Sequence, residues 1–139
     1  MTPASLEIQV DFLMGGAVEG QFVQLCAPIS LWGGVDPITG AIAEAGHPQN
    51  GAGLADRIVF APALKGSTAG PGALLELIAA GLGPLAFVTP AADMALIAAA
   101  HSAVYVGCVP PALAVWPRWR DLAGDRAPAL CRLSAISGT

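Results

Sequence analysis

The alternation of apolar and polar residues along the chain predicts most of its secondary structure. Residues 6–12 alternate strictly, which is the period of a strand with one buried face. Residues 58–61 are all apolar, as in a short strand that is covered on both faces. The same reasoning gives the full set of predicted strands: 6–12, 21–27, 57–63, 85–88, 103–106, 113–116 and 129–136.

Two helices are predicted between these strands. The first spans residues 71–80, because Pro71 suits a first helical turn and Gly81 suits the position after the last one. The second begins after Thr89, a possible N-cap, and extends to about residue 102. Since both helices directly follow strands, the chain is predicted to be α/β, with a mixed sheet or two sheets packed against helices.

Residues 65–72 read Lys-Gly-Ser-Thr-Ala-Gly-Pro-Gly and connect a predicted strand to a predicted helix. A helix N-terminus carries partial positive charge and unpaired N–H groups, which favour anions. Lys65 adds a full charge, and Ser67 and Thr68 add hydroxyls. This loop therefore predicts a site for a carboxylate or a phosphate, with helix capping as the alternative role of the hydroxyls.

The composition of the chain is unusually apolar for a soluble domain. Of the 139 residues, 55% are hydrophobic and 12% are charged, against about 25% charged in ordinary soluble domains. Such a chain has a large face that a partner covers, or it associates with a membrane. The net charge of −4 argues against nucleic-acid binding.

A membrane span and export are not expected. The longest stretch without charged residues, 94–117, is interrupted by Gly107 and by the Pro110-Pro111 pair. No basic segment followed by an apolar run opens the sequence. The three cysteines lack a C-x-x-C spacing, which indicates a reduced, cytoplasmic protein with the thiols in its core. We expect one domain over residues 1–139 and no metal bound by this chain alone.

A second motif precedes residues 65–72, which we call the anion loop. Residues 30–53 contain six glycines and two prolines and are predicted to form a long functional loop. Within it, residues 30–40 read Ser-Leu-Trp-Gly-Gly-Val-Asp-Pro-Ile-Thr-Gly, and His47-Pro48 follows. Together with Lys65 to Gly70, the helix around Leu74 to Ile78 and the strand at 83–88, these motifs resemble the swivel domain, or small subunit, of aconitase X. The resemblance covers about residues 15–116, whereas the tail 117–139 diverges.

The resemblance implies a swivelling β/β/α domain and a dehydratase activity. Members of this family act on hydroxy acids such as cis-3-hydroxy-L-proline or phosphomevalonate. A large subunit carries an iron–sulfur cluster or another metal, and the small subunit closes over the active site. The present chain is therefore not expected to be active alone, and it would have no cofactor of its own.

The resemblance also assigns residues. Ser67 would be the general base that takes the proton next to the substrate carboxylate. Substrate contacts would come from the loop around it: Lys65, Gly66, Thr68 and Gly70. From their place in the glycine-rich loop, Asp36 and His47 are candidates to orient Ser67 or to contact the substrate, and a structural role within their own loop is the alternative.

Some expectations remain open on the sequence alone. Trp32 is expected to pack beneath its loop or against the partner, and Glu76 to face solvent or to pair with Lys65. The family usually has arginine where this chain has Lys65. A lysine ammonium group cannot make the bidentate contact with a carboxylate that an arginine guanidinium makes. Lys65 and Ala69 therefore favour the alternative function, a non-catalytic interaction or anion-binding module.

Overall fold

A computed structural model describes residues 5–65, 70–118 and 130–136 of the chain. The α/β prediction is confirmed. In chain order the elements are β1 (Ser5–Met14), β2 (Val18–Gln24), α1 (Leu31–Gly34), β3 (Ile58–Phe60), α2 (Gly70–Ala79), β4 (Ala86–Thr89), α3 (Met94–Tyr105), β5 (Ala112–Val115) and β6 (Leu130–Ala135).

The strands close into a barrel in the order β1-β5-β4-β3-β2-β6. Strands β2, β3, β4 and β5 form one parallel ladder. Strand β1 runs antiparallel to β5 and parallel to β6, and β6 runs antiparallel to β2. The carboxyl ends of the four parallel strands therefore lie at the same end of the barrel.

Two apolar cores follow from the alternation of side chains along these strands. Inside the barrel, residues from five strands form one fully or nearly buried cluster: Ile8, Val10, Ile58, Phe60, Ala86, Val88, Ala112, Ala114, Cys131 and Leu133. The ring of Phe60 meets Phe22 and Trp116 edge-on, with centroid distances of 5.8 and 5.9 Å.

The second core lies between the outer face of the barrel and the helices. Val59, Phe87 and Leu113 alternate with the inward residues of their strands and join this cluster. Apolar residues of the two longer helices pack against them: Leu74, Leu77, Leu96, Ala99 and Ala100. Strands β3, β4 and β5 are thus covered on both faces, which explains why 58–61 is a continuous apolar run.

Helix α3 corrects two sequence-based predictions. Residues 103–105, predicted to be part of a strand, are the last residues of this helix, because Ala103 continues the buried stripe of Leu96, Ala99 and Ala100. The helix begins at Met94 rather than at Pro90, since the carboxylate of Asp93 caps it by accepting a hydrogen bond from Leu96 N at 3.1 Å. Within the described ranges, no helix is long and apolar enough to cross a membrane.

The cysteines are only partly as predicted. All three are free thiols, but only Cys131 is buried, inside the barrel. Cys26 is exposed and Cys108 is half-buried, because both lie in connections rather than on inward positions of strands. The prediction of three core cysteines is therefore wrong for two of them.

Candidate functional site

The two sequence motifs meet at the carboxyl end of the parallel strands. The chain leaving β2 and the chain leaving β3 stay paired beyond the barrel, since Lys65 N donates to Ile29 O at 2.9 Å. A parallel bridge between Ile29 and Leu64 continues this ladder. In open α/β sheets and in closed α/β barrels alike, ligands bind at the carboxyl ends of the parallel strands. The fold thus places the start of the anion loop beside the start of the Trp32 segment, by which we mean residues 30–37.

The Trp32 segment is a tight, internally bonded turn. Ser30 Oγ donates to the carbonyl of Trp32 at 2.7 Å, and Gly33 has a φ of 84°, a conformation that favours glycine. Asp36 Oδ1 accepts a hydrogen bond from Ile38 N at 2.8 Å, which closes the following turn. Trp32 is 62% exposed, so the expectation that it packs beneath the loop is wrong.

A pocket of about 420 Å³ lies between this segment and helix α2. Its apolar wall includes Leu31, Val35 and Leu77, and the charged residues that line it, among those that the structure describes, are Asp36 and Glu76. The volume falls within the usual range for sites that bind small molecules. The pocket can therefore take a compact substrate between the Trp32 segment and helix α2.

His47 is buried within the long loop and is hydrogen-bonded at both ring nitrogens. Its Nδ1 accepts from Gln49 N at 3.0 Å, so the ring proton sits on Nε2, which donates to the carbonyl of Ala27 at 3.1 Å. Only 6% of the residue is exposed. These contacts tie the loop to the chain that leaves β2.

Lys65 makes an ion pair that the sequence did not predict. Its Nζ lies 2.7 Å from Oε2 of Glu44. The hydrogen bond and charge of Lys65, and a backbone hydrogen bond from Ser30, hold the pKa of Glu44 below its ordinary value, although burial opposes the shift. Lys65 therefore does not pair with Glu76, which is exposed. Glu44 was missed because neither motif pattern distinguishes it from a solvated glutamate.

The remaining predicted site residues lie in or next to the anion loop. Gly70 is the first residue of α2 and is buried. Gly66, Ser67 and Thr68 lie outside the described residues. In the described part of the chain, no group of three or more His, Cys, Asp or Glu residues could hold a metal ion.

Comparisons with known proteins converge on one family. A family model for the aconitase X swivel domain matches residues 7–115. The cis-3-hydroxy-L-proline dehydratase of Hypocrea jecorina is 35% identical over 88 residues, which are 63% of this chain and 15% of that protein. The phosphomevalonate dehydratase small subunit of Thermococcus onnurineus is 33% identical over 81 residues, 58% of this chain and 62% of that protein.

A solved structure shows the same fold. The crystal structure of holo aconitase X from Thermococcus kodakaraensis superposes with a TM-score of 0.68 and 26% identity, over 77% of both chains. The present chain spans less than two thirds of the two dehydratases that it resembles, with 15% of the Hypocrea protein and 62% of the Thermococcus subunit covered.

Proposed function

This chain belongs to the aconitase X swivel domain family, and we propose that it is the small subunit of a dehydratase that acts on a hydroxy acid. One observation supports the proposal most directly. The Trp32 segment and the start of the anion loop lie side by side, next to a pocket of about 420 Å³. The pocket lies at the end of the barrel where α/β proteins bind their ligands.

Ser67 is proposed as the general base. It would take the proton from the carbon next to the substrate carboxylate, and a hydroxyl would leave from the adjacent carbon. A serine oxygen needs stabilisation of its negative charge to act in this way. Ser67 lies three positions before the first residue of α2, so N–H groups near the helix N-terminus are the stabilising groups that we propose.

A large subunit is proposed as the partner. This chain's described residues offer no metal site, and the Thermococcus relative is named as a small subunit. A metal or an iron–sulfur cluster in the large subunit would assist the departure of the hydroxyl. The substrate is proposed to be a hydroxy acid of the kind named for the relatives, a cis-3-hydroxyproline or a phosphomevalonate, and the location to be cytoplasmic.

The test is to co-express the chain with a large aconitase X subunit and to assay both substrates. Because general bases contribute about 10²- to 10⁴-fold to rates, Ser67→Ala should lower kcat at least about 100-fold. Ser102→Ala, an exposed serine of α3, is the matched control and should retain full activity. Equal rates for Ser67→Ala and the wild type would exclude Ser67 as the base.

A non-catalytic interaction module is the second candidate. The observation that favours it is the ion pair, because Glu44 already compensates the charge of Lys65. If the chain binds a large subunit stably but no hydroxy acid is turned over by the assembly, this second function is supported.

A further inference from the structure

We propose that Glu44 is a positioning residue of the candidate site. Its carboxylate fixes Lys65 against the Trp32 segment and partly compensates the positive charge of Lys65. This inference rests on the proposed dehydratase function. It assigns a role to a residue outside both sequence motifs.

The carboxylate of Glu44 contacts both halves of the site. Its Oε2 accepts the hydrogen bond from Lys65 Nζ at 2.7 Å. Its Oε1 lies against the turn of the Trp32 segment, since a Cβ atom added to Gly34 would be 3.2 Å from it. One side chain thus joins the residue that opens the anion loop to the turn of the Trp32 segment at Gly34.

The backbone of Glu44 is fixed as well. Its carbonyl accepts hydrogen bonds from His47 N at 3.2 Å and from Asn50 Nδ2 at 2.9 Å. Because the buried ring of His47 ties this part of the loop to Ala27, Glu44 projects from an anchored turn. Its side chain is 22% exposed, whereas that of Lys65 is 52% exposed. Glu44 is therefore the fixed member of the pair, and Lys65 is held by it.

The pair determines how much positive charge an anionic substrate meets. Lys65 is the only lysine in the chain. The neighbouring pocket is lined by two acidic residues in the described part of the chain, Asp36 and Glu76. An anionic substrate that contacts Lys65 has to share the ammonium group with Glu44. Glu44 thus places the ammonium group accurately, but it weakens the attraction of that group for the substrate.

In the assembled enzyme, Glu44→Gln should therefore lower both kcat and KM. We expect kcat to fall about tenfold, because Lys65 loses its position. KM for the anionic substrate should fall about two- to fivefold, the range of a partly exposed ion pair. Glu44→Asp, which keeps the charge, should recover part of kcat and restore KM. Glu7→Gln, in an exposed pair with Arg132 at 3.7 Å, is the matched control and should change neither constant.

A second readout needs no partner subunit. Since Lys65 is the only lysine, acylation of its amine can be followed by peptide mass spectrometry, separately from the N-terminal amine. Release from Glu44 should speed acylation severalfold in Glu44→Gln and not in Glu7→Gln, with circular dichroism showing that both variants are folded.

The outcomes separate this inference from the proposed function. Turnover that depends on Ser67, together with unchanged kcat, KM and acylation in Glu44→Gln, would overturn the role of Glu44 alone. A rise of KM in Glu44→Gln would overturn the proposed sharing of Lys65. Absence of turnover in the wild-type assembly would contradict the dehydratase function, and the acylation rates would still decide whether Glu44 holds Lys65.

Discussion

At the scale of single residues, position in the fold gives identical side chains different chemistry. Cys131 points into the barrel and is fully buried, and this burial raises the pKa of its thiol to about 11 from an ordinary value of 9.0. Cys26 has the same thiol but lies exposed in a connection. The barrel interior therefore keeps Cys131 protonated under conditions in which an exposed thiol ionises.

This difference predicts a pH dependence of stability. Above pH 9.0 the unfolded chain loses the Cys131 proton, whereas the folded chain keeps it until about pH 11. The unfolded state therefore binds fewer protons in this range, so the free energy of unfolding should fall as the pH rises, by about 2 to 3 kcal/mol. Urea denaturation at a series of pH values measures this slope.

The control for this prediction is a comparison of two cysteine variants. Cys131→Ala should flatten the slope between pH 9.0 and about 11, although it also lowers stability at every pH by leaving a small cavity. Cys26→Ala should keep the slope of the wild type. Parallel slopes in wild type and Cys131→Ala would show that the buried thiol does not cause the dependence.

At the scale of elements, barrel closure depends on the close approach of β1 to the start of β5. The register between these strands shifts between Phe12 and Met14, and the chain then turns at Gly15, which has a φ of 75°. A Cβ atom at Gly15 would lie 3.0 Å from Ala112 Cβ and 3.1 Å from its Cα. Only glycine satisfies both the backbone angle and the contact.

Gly15→Ala should therefore destabilise the barrel by about 2 to 4 kcal/mol, as the sum of backbone strain and overlap with Ala112. Gly16→Ala is the matched control, because an added Cβ there has no atom within 4 Å. Its effect should stay within about 0.5 kcal/mol. Denaturant midpoints for the two variants give the comparison, and equal midpoints would contradict this account of closure.

At the scale of the whole molecule, exposed apolar side chains lie at both ends of the barrel. Trp32 is 62% and Ile38 is 83% exposed near the candidate site. Helix α3 runs from the carboxyl end of β4 to the start of β5, so Tyr105, which is 92% exposed, lies towards the opposite end. A large subunit that completes the proposed active site would cover the first group.

Trp32→Ala should therefore weaken association with the large subunit by about tenfold or more, as expected for a buried aromatic interface residue. It should change the free energy of unfolding of the isolated chain little, because the side chain is mostly exposed. Tyr105→Ala removes an even more exposed aromatic ring from the other end and should leave the dissociation constant unchanged. Titration calorimetry would measure the dissociation constants of both variants. Equal constants for Trp32→Ala and the wild type would show that the large subunit does not cover the end of the barrel near Trp32.

Local patterns in the sequence are enough to identify the class of fold, the family and most secondary-structure elements. Alternation along 6–12 and the apolar run at 58–61 correspond to β1 and β3, because the side-chain period of a strand depends only on which faces are covered. The two motifs were also evident in sequence, since their glycines and turn residues act through local backbone conformation. Residues 103–105 were misassigned because Val104 and Tyr105 have strand propensity, whereas the buried alanine stripe that keeps them helical is a tertiary contact.

The way in which the two motifs come together depends on contacts between residues far apart in sequence. The ion pair between Lys65 and Glu44 joins residues 21 positions apart, and the pocket forms between a loop and a helix. The closed order of strands pairs β1 with both β5 and β6. Such contacts depend on the directions of whole elements in space, and no local pattern of residues encodes those directions.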